Sequence, residues 1–176
     1  MSMEASLPRS EIKHFVIMGV SGCGKSTVGA ALAQHMEAAF IDGDDLHPQA
    51  NIDKMSAGIP LTDDDRAPWL AKVGASLAST NGPVIIGCSA LRRIYRDQIR
   101  DAAGLPVMFL HLVGSYDVIA ARMSDRPGHF MPPGLLDSQF ATREPLGEDE
   151  RFAEADIDQP LEGVVRTLLQ QIAPHQ

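Results

Sequence analysis

A chain of 176 residues, 44% hydrophobic and 22% charged, fits one globular domain that buries roughly 70% of the surface its unfolded form exposes. Its formal net charge of −8 argues against nucleic acid as the main partner, since such binding is carried by Lys and Arg set against phosphates. No apolar run approaches membrane-spanning length and Met1 to Ser10 lacks the basic and apolar regions of a signal peptide, so no membrane partner is expected and the expected compartment is the cytoplasm.

Residues 1–12 carry no packing signal and read as a flexible leader to a single domain over 13–176. His14 to Met18 is a short, partly β-branched apolar run of the kind that forms a buried strand, and Thr27 to Met36 is an Ala/Leu-rich helical pattern. Between them, Gly19-Val20-Ser21-Gly22-Cys23-Gly24-Lys25-Ser26 fits G-x-x-x-x-G-K-[ST], the phosphate-cradling P-loop, in the required order of strand, glycine turn and helix. Glycines at 19, 22 and 24 let the backbone take positive φ and approach an anion closely, so that its N–H groups and the positive end of the next helix face phosphate oxygens. Lys25 adds a mobile charge for the β and γ phosphates. Gly19, Ser21, Gly22, Cys23, Gly24, Lys25, Ser26 and Thr27 are therefore the expected ATP site, with the Ser26 hydroxyl placed to ligate Mg²⁺. The two cysteines, Cys23 and Cys88, have neither the number nor the spacing of a disulfide framework or zinc site. They read as free thiols, with Cys23 expected to be oxidation-sensitive because a nest of N–H groups favours its thiolate.

Ala38 to Ile41 reads as a second strand ending in Asp42-Gly43-Asp44-Asp45. Carboxylates at the C-terminal end of a strand, beside a P-loop, lie where open α/β sheets bind ligands; the plainer reading is a helix cap made by one Asp. Leu46 to Gly58 predicts a short helix closed by Gly58. Thr62 then opens a longer helix as N-cap, with Asp65 completing a capping box, and Trp69, Val73 and Leu77 form its core stripe. Val84 to Cys88 predicts a central parallel strand covered on both faces. Ser89 is the expected cap of a helix from Ala90 to Ala103 that buries Leu91, Ile94, Ile99 and Ala102. Arg92, Arg93, Arg96 and Arg100 then fall largely outside, with Arg93 and Asp97 a possible ion pair. Of these arginines only Arg92, beside the strand end, is well placed for function. Val107 to Val113 predicts another buried strand with His111 as a core histidine, and Ser115 to Ser124 a helix carrying Arg122. The Pro- and Gly-rich Asp125 to Gly134 has the composition of a lid, set here at residues 125–146, and Leu135 to Thr142 resumes a helix. Ala155 to Ile157 predicts a last strand and Pro160 the first position of a terminal helix reaching Ile172.

The assembly expected is a three-layer α/β fold with a five-stranded parallel sheet flanked by helices and a lid between the fourth and fifth strands: a small P-loop kinase. Phosphoryl transfer needs anchored phosphates, Mg²⁺, an oriented acceptor hydroxyl and positive charge on the moving group, with water excluded. The residues assign these to the P-loop, to Ser26 with Asp42 through water, to Asp44, and to Lys25 with Arg126 from the lid.

Beyond the P-loop, the segments Asp42-Gly43-Asp44-Asp45-Leu46-His47-Pro48, Asn51-Ile52-Asp53-Lys54-Met55, Pro60 to Leu70, Cys88-Ser89-Ala90-Leu91-Arg92, Tyr95-Arg96-Asp97, Gly128-His129-Phe130, Ser138-Gln139-Phe140 and Asp156-Ile157-Asp158 resemble the gluconokinases. The resemblance runs from about residue 15 to 172, and its segments at 42–48, 60–70 and 88–92 are specific to that family. It implies ATP-dependent phosphorylation of D-gluconate to 6-phospho-D-gluconate by a homodimer whose fold is related to shikimate kinase. Carried over residue by residue, it implies that Asp44 receives the acceptor proton, Arg66 holds the substrate, Arg122 lies near the adenine and Arg126 reaches in from the lid. His47, Lys54, Ser89, Arg92, His129 and Gln139 complete the implied acceptor site. One departure is Thr142-Arg143-Glu144 where Thr-Leu-Glu is the family pattern; a related shikimate kinase position carries an arginine on the acid substrate, so contact between Arg143 and substrate stays open. A kinase of another small hydroxy acid or polyol, and a non-catalytic nucleotide-binding module, are the alternatives. The acidic cluster at 42–45 favours catalysis.

Overall fold

A computed structural model describes residues 12–124 and 133–175. Five strands, β1 (His14–Met18), β2 (Ala39–Asp42), β3 (Val84–Gly87), β4 (Met108–Val113) and β5 (Phe152–Asp156), form one parallel sheet in the order β2-β3-β1-β4-β5. Between and around them lie α1 (Lys25–Met36), α2 (Gln49–Ser56), α3 (Asp63–Ser79), α4 (Arg93–Ala103), α5 (Tyr116–Ser124), α6 (Pro133–Thr142) and α7 (Leu161–Ile172). This is the three-layer P-loop kinase fold.

The layers follow from the two-residue period of a strand. Phe15, Ile17, Ile85, Met108 and Leu110 face one way and meet Val28 and Leu32 of α1 and Val164, Val165 and Leu168 of α7. Their neighbours Val16, Met18, Val84, Ile86 and Phe109 face the other way, against Trp69, Leu70, Val73 and Leu77 of α3 and Tyr95 and Ile99 of α4. Ile12, at the edge of the expected leader, is buried in the first of these clusters. α3 and α4 touch through Gly74, where a Cβ would stand 2.5 Å from that of Ala102 and 2.7 Å from the Ile99 carbonyl oxygen.

Local signals set most boundaries. Thr62 and Asp65 form the expected capping box at the start of α3, and α2 ends before Gly58, whose φ is +73°. Four expectations change. β5 starts earlier than expected, at Phe152, and stops at Asp156, while Pro160 occupies the N-cap position of α7 rather than its first turn. α4 begins at Arg93 instead of Ala90, and Ser89 does not cap it. The chain at 88–92 is held as a loop: the Ser89 carbonyl accepts from the Gly19 N–H, Ala90 sits at φ +46°, and the Glu144 N–H bonds the Leu91 carbonyl. The cap comes instead from across the fold, where the Glu144 carboxylate accepts the Arg93 N–H at 3.2 Å. Finally, Ile94 is 45% exposed and Ala102 exposed, whereas Arg96 is fully buried. Its guanidinium donates to the Glu150 carboxylate at 2.8 and 3.2 Å and to the carbonyls of Ala90, Leu91 and Pro145. Arg100 also reaches Glu150, and Arg93 pairs with Asp97 as expected and with Asp149.

Candidate active site

All the expected site elements described leave the sheet at the C-terminal ends of its strands, the edge where open α/β sheets take ligands. After β1, Gly19, Gly22 and Gly24 take φ of +149°, +81° and +95°, the conformations that turn successive N–H groups inward ahead of α1. Lys25 Nζ folds back over this loop, donating to the carbonyls of Gly19 at 2.9 Å and Val20 at 3.1 Å. Gln139 of α6 grips the loop from outside: its Oε1 accepts the Ser21 N–H at 2.7 Å and its Nε2 donates to Ser21 Oγ at 3.0 Å. Its observed partner is thus the phosphate loop, not the acceptor side expected from the sequence. Cys23 is also unlike its expectation, because burial pushes its thiol up more strongly than the nearby Lys25 charge lowers it. With no exposed surface, it is a core thiol and not an oxidation-sensitive one.

After β2, Asp42 does two things at once. Its Oδ1 caps the short 3₁₀ turn at Gly43–Leu46 by accepting the Asp44 N–H at 3.0 Å, and its Oδ2 lies 3.4 Å from Ser26 Oγ. The turn is pressed against β3 so closely that a Cβ on Gly43 would stand 2.1 Å from the Gly87 carbonyl oxygen. Trp69 pins it from the other side, its indole N–H donating to the Gly43 carbonyl at 2.7 Å, and His47 stacks on that indole at 4.0 Å. The core stripe read from the sequence thus also positions the acidic turn.

Around the start of α3, Asn51 donates to the Asp65 carbonyl and lies 3.2 Å from His47 Nδ1, while Lys54 pairs with the Asp65 carboxylate at 2.7 Å. The hydrogen bond from Lys54, with those from Thr62, holds the Asp65 carboxyl down at about 2. Lys54, expected at the acceptor, ties α2 to α3. Arg66 Nη1 donates to the Leu61 carbonyl at 2.8 Å and to Tyr95 Oη at 3.2 Å; Arg92 Nη1 donates to Asp63 at 2.8 Å and its Nε to Glu144 at 3.3 Å. Asn51, Asp63 and Tyr95 join this cluster although the sequence reading gave them no place in a site. Tyr95 is buried with its hydroxyl inside the cluster, a polar tip on an apolar stripe that the helical pattern alone conceals.

On the far side of the P-loop, a cleft of ≈ 300 Å³ is lined by Gly24, Thr27, Arg122, Ile157, Gln159 and Val164, with Arg122 donating to the Ile157 carbonyl. Arg122, which the resemblance implies lies near the adenine, thus lines a cleft beside the P-loop, joined by Ile157, read from the sequence as the end of a strand, and by Gln159, to which the sequence reading gave no role. Arg143 rests its guanidinium over the Phe140 ring at 5.4 Å. Arg126 and His129, with residues 125–132 of the expected lid, lie outside the described residues.

A family described as "AAA domain" matches residues 15–146. The thermoresistant gluconokinase of Escherichia coli strain K12 is 47% identical over 163 residues, covering 90% of this chain and 92% of that enzyme. The crystal structure of a gluconokinase from Sinorhizobium meliloti 1021 superposes with a TM-score of 0.86 at 49% identity, covering 93% of each chain. The chain belongs to the gluconokinase family. The shikimate kinase of Aquifex aeolicus, at 15% identity and a TM-score of 0.61 over 92% of this chain and 96% of its own, shares the fold alone.

The candidate site has a divided electrostatic character. Burial, then the neighbouring Asp42 charge, raises the Asp44 carboxyl above the ordinary carboxylate range, and Lys25 pulls it partly back. His47 is pushed the other way, first by burial and then by Arg66, which keeps the imidazole neutral near pH 7. Arg66, Arg92, Lys25 and Arg122 thus place positive charge around the site of a chain whose net charge is −8.

Proposed function

We propose that the protein transfers the γ-phosphoryl group of ATP to D-gluconate, giving 6-phospho-D-gluconate and ADP. The observation that carries the reading is the junction of phosphate loop and acidic turn. Ser26 Oγ stands 3.4 Å from Asp42, and Asp44, two residues on, lies within reach of the Lys25 charge. Lys25 supplies charge to the moving phosphoryl group, Asp44 orients the 6-hydroxyl and takes its proton, and Arg66 and Arg92 hold the gluconate carboxylate. His47, Ser89 and His129 belong to the acceptor side, and Arg122 to the adenine. Gln139, on the observed geometry, steadies the P-loop.

The Ser26 hydroxyl and, through water, the Asp42 carboxylate are hard oxygen donors close together, and these two residues would hold Mg²⁺. Bound there, Mg²⁺ neutralises charge on the phosphate oxygens. The proposal extends to residues 125–146 as a closing lid that brings Arg126 over the phosphates, supported by the Gln139 grip of α6 on Ser21. It also extends to a cytoplasmic homodimer, on the resemblance; no helix among the described residues is long and apolar enough to cross a membrane.

The test is an ADP-release assay across sugar acids and polyols. Gluconate should give the highest kcat/KM by at least an order of magnitude. An inert gluconate, or a polyol turned over equally well, overturns the proposal.

A further inference from the structure

One carboxylate of this chain lies among the very cations proposed to receive the substrate's. Asp63 Oδ1 accepts the Tyr95 hydroxyl at 2.6 Å, its Oδ2 accepts Arg92 Nη1 at 2.8 Å, and Arg66 Nη1 stands 3.8 Å away. Arg66 and Arg92 both lie over the Tyr95 ring, 5.3 and 5.6 Å from its centroid. The trio thus makes a planar-donor cradle, two guanidinium forks and a phenol, of the kind that suits a carboxylate. We propose that Asp63 is an internal stand-in for the acceptor's carboxylate: it holds Arg66, Arg92 and Tyr95 in register before substrate arrives, then yields them by carboxylate-for-carboxylate exchange. The inference rests on the acceptor assignment above and adds Asp63 as the group that the acid displaces and Tyr95 as a further donor to it.

Three observations make the exchange nearly balanced. The Asp63 side chain is 51% exposed, so it can turn into water without crossing the protein. It occupies the first position of α3, where the positive end of the helix favours a carboxylate whether or not the arginines hold it. Arg92 keeps Glu144 at 3.3 Å and so stays paired throughout, and among the described residues Arg66 donates through Nη1 alone, which leaves its Nε and Nη2 for the incoming anion. A neutral polyol cannot replace a carboxylate on two arginines; an acid can. Only an acid, therefore, competes with Asp63 for the two arginines.

Titration calorimetry of gluconate and of its uncharged counterpart D-glucitol into wild type, Asp63→Asn and Tyr95→Phe tests this, beside gluconate KM. Removing an exposed competing ion pair should tighten gluconate about two- to fivefold in Asp63→Asn, with D-glucitol at its wild-type level, whether measurable or undetectable. Tyr95→Phe should weaken gluconate several-fold, because the hydroxyl passes to the substrate. Were Tyr95 only a tether for Asp63, its loss would tighten gluconate instead. Weaker or unchanged gluconate binding in Asp63→Asn, or equal shifts for acid and polyol, overturns the exchange. A wild type that binds gluconate without phosphorylating it would sink the functional proposal and leave the exchange to be judged on binding.

Discussion

Asp44, in the turn after β2, feels the charge of Lys25, at the start of α1 after β1, and kinetics can separate their work. Lys25→Ala deletes charge needed most by the moving phosphoryl group and opens no core cavity, so kcat should fall about 10²- to 10³-fold with the unfolding temperature little changed. Asp44→Asn should lower kcat strongly with a modest change in gluconate KM, whereas Arg66→Ala should mainly raise gluconate KM and leave ATP binding nearly unmoved. The acid limb of kcat/KM should lie above the ordinary aspartate range, since burial raises Asp44 and activity needs its ionised form; activity is lost as pH falls through that value. Near-normal kinetics with lost stability in the Asp44 and Arg66 variants would assign both residues to the scaffold. In the sequence the P-loop motif points to Lys25 and the carboxylates at a strand end to Asp44, whereas the role of Arg66 comes from the resemblance to the gluconokinases. Cys23 misled because its motif neighbours suggest an activated thiolate, while its burial depends on packing that the motif does not contain.

At the scale of elements, the buried Arg96–Glu150 pair joins α4 to the segment before β5. Burial alone would raise the Glu150 carboxyl, but hydrogen bonds from Arg96, the Gly147 N–H and Arg100 outweigh it and hold the group at about 2. Glu150→Gln should therefore cost about 3–5 kcal/mol, since it leaves a buried guanidinium uncompensated, and lower the unfolding temperature by roughly 10 °C. A loss under 1 kcal/mol would show that water reaches Arg96. The sequence concealed this pair, as it concealed the start of α4, for one reason: the partner of Arg96 is 54 residues away and the cap of α4 is Glu144, 51 residues from Arg93. α3, by contrast, carries its capping box within four residues, and its start was legible to the residue.

For the molecule as a whole, alternating apolar strands and a motif between the first strand and helix were enough to foretell the sheet and its two helical layers. Long-range ties were not, and they decide how the fold responds to acid. Hydrogen bonds from Lys54 and Thr62 hold Asp65 at about 2, those from Arg93 and its own backbone hold Asp149 at about 2, and Glu150 is held likewise. Groups depressed on folding stabilise fully above their unfolded values and lose that contribution as pH falls through the folded ones. Burial also holds His111 down to about 4 and lowers His47, so that the unfolded chain takes up protons first. Thermal stability should accordingly decline as pH falls below about 6.5, and further from about pH 4 towards 2 as the carboxylates titrate; level stability down to pH 4 would show that the two imidazoles are not held neutral by burial. The same ties fix the far end of the proposed lid. Hydrogen exchange should slow at 133–142 on adding a non-hydrolysable ATP analogue with gluconate, and stay unchanged at 143–150, where Arg92, Arg93 and Arg96 already hold the chain. Equal rates at 133–142 with and without ligands would refute closure. The stacked Trp69 has a practical use as well. It is the single tryptophan of all 176 residues, 4% exposed, bonded to the carbonyl beside Asp44 and stacked on the His47 imidazole. The protein thus carries its own fluorophore at the proposed acceptor side, and sugar-acid binding there should change its intrinsic emission, readable in stopped flow without a label or a coupling enzyme.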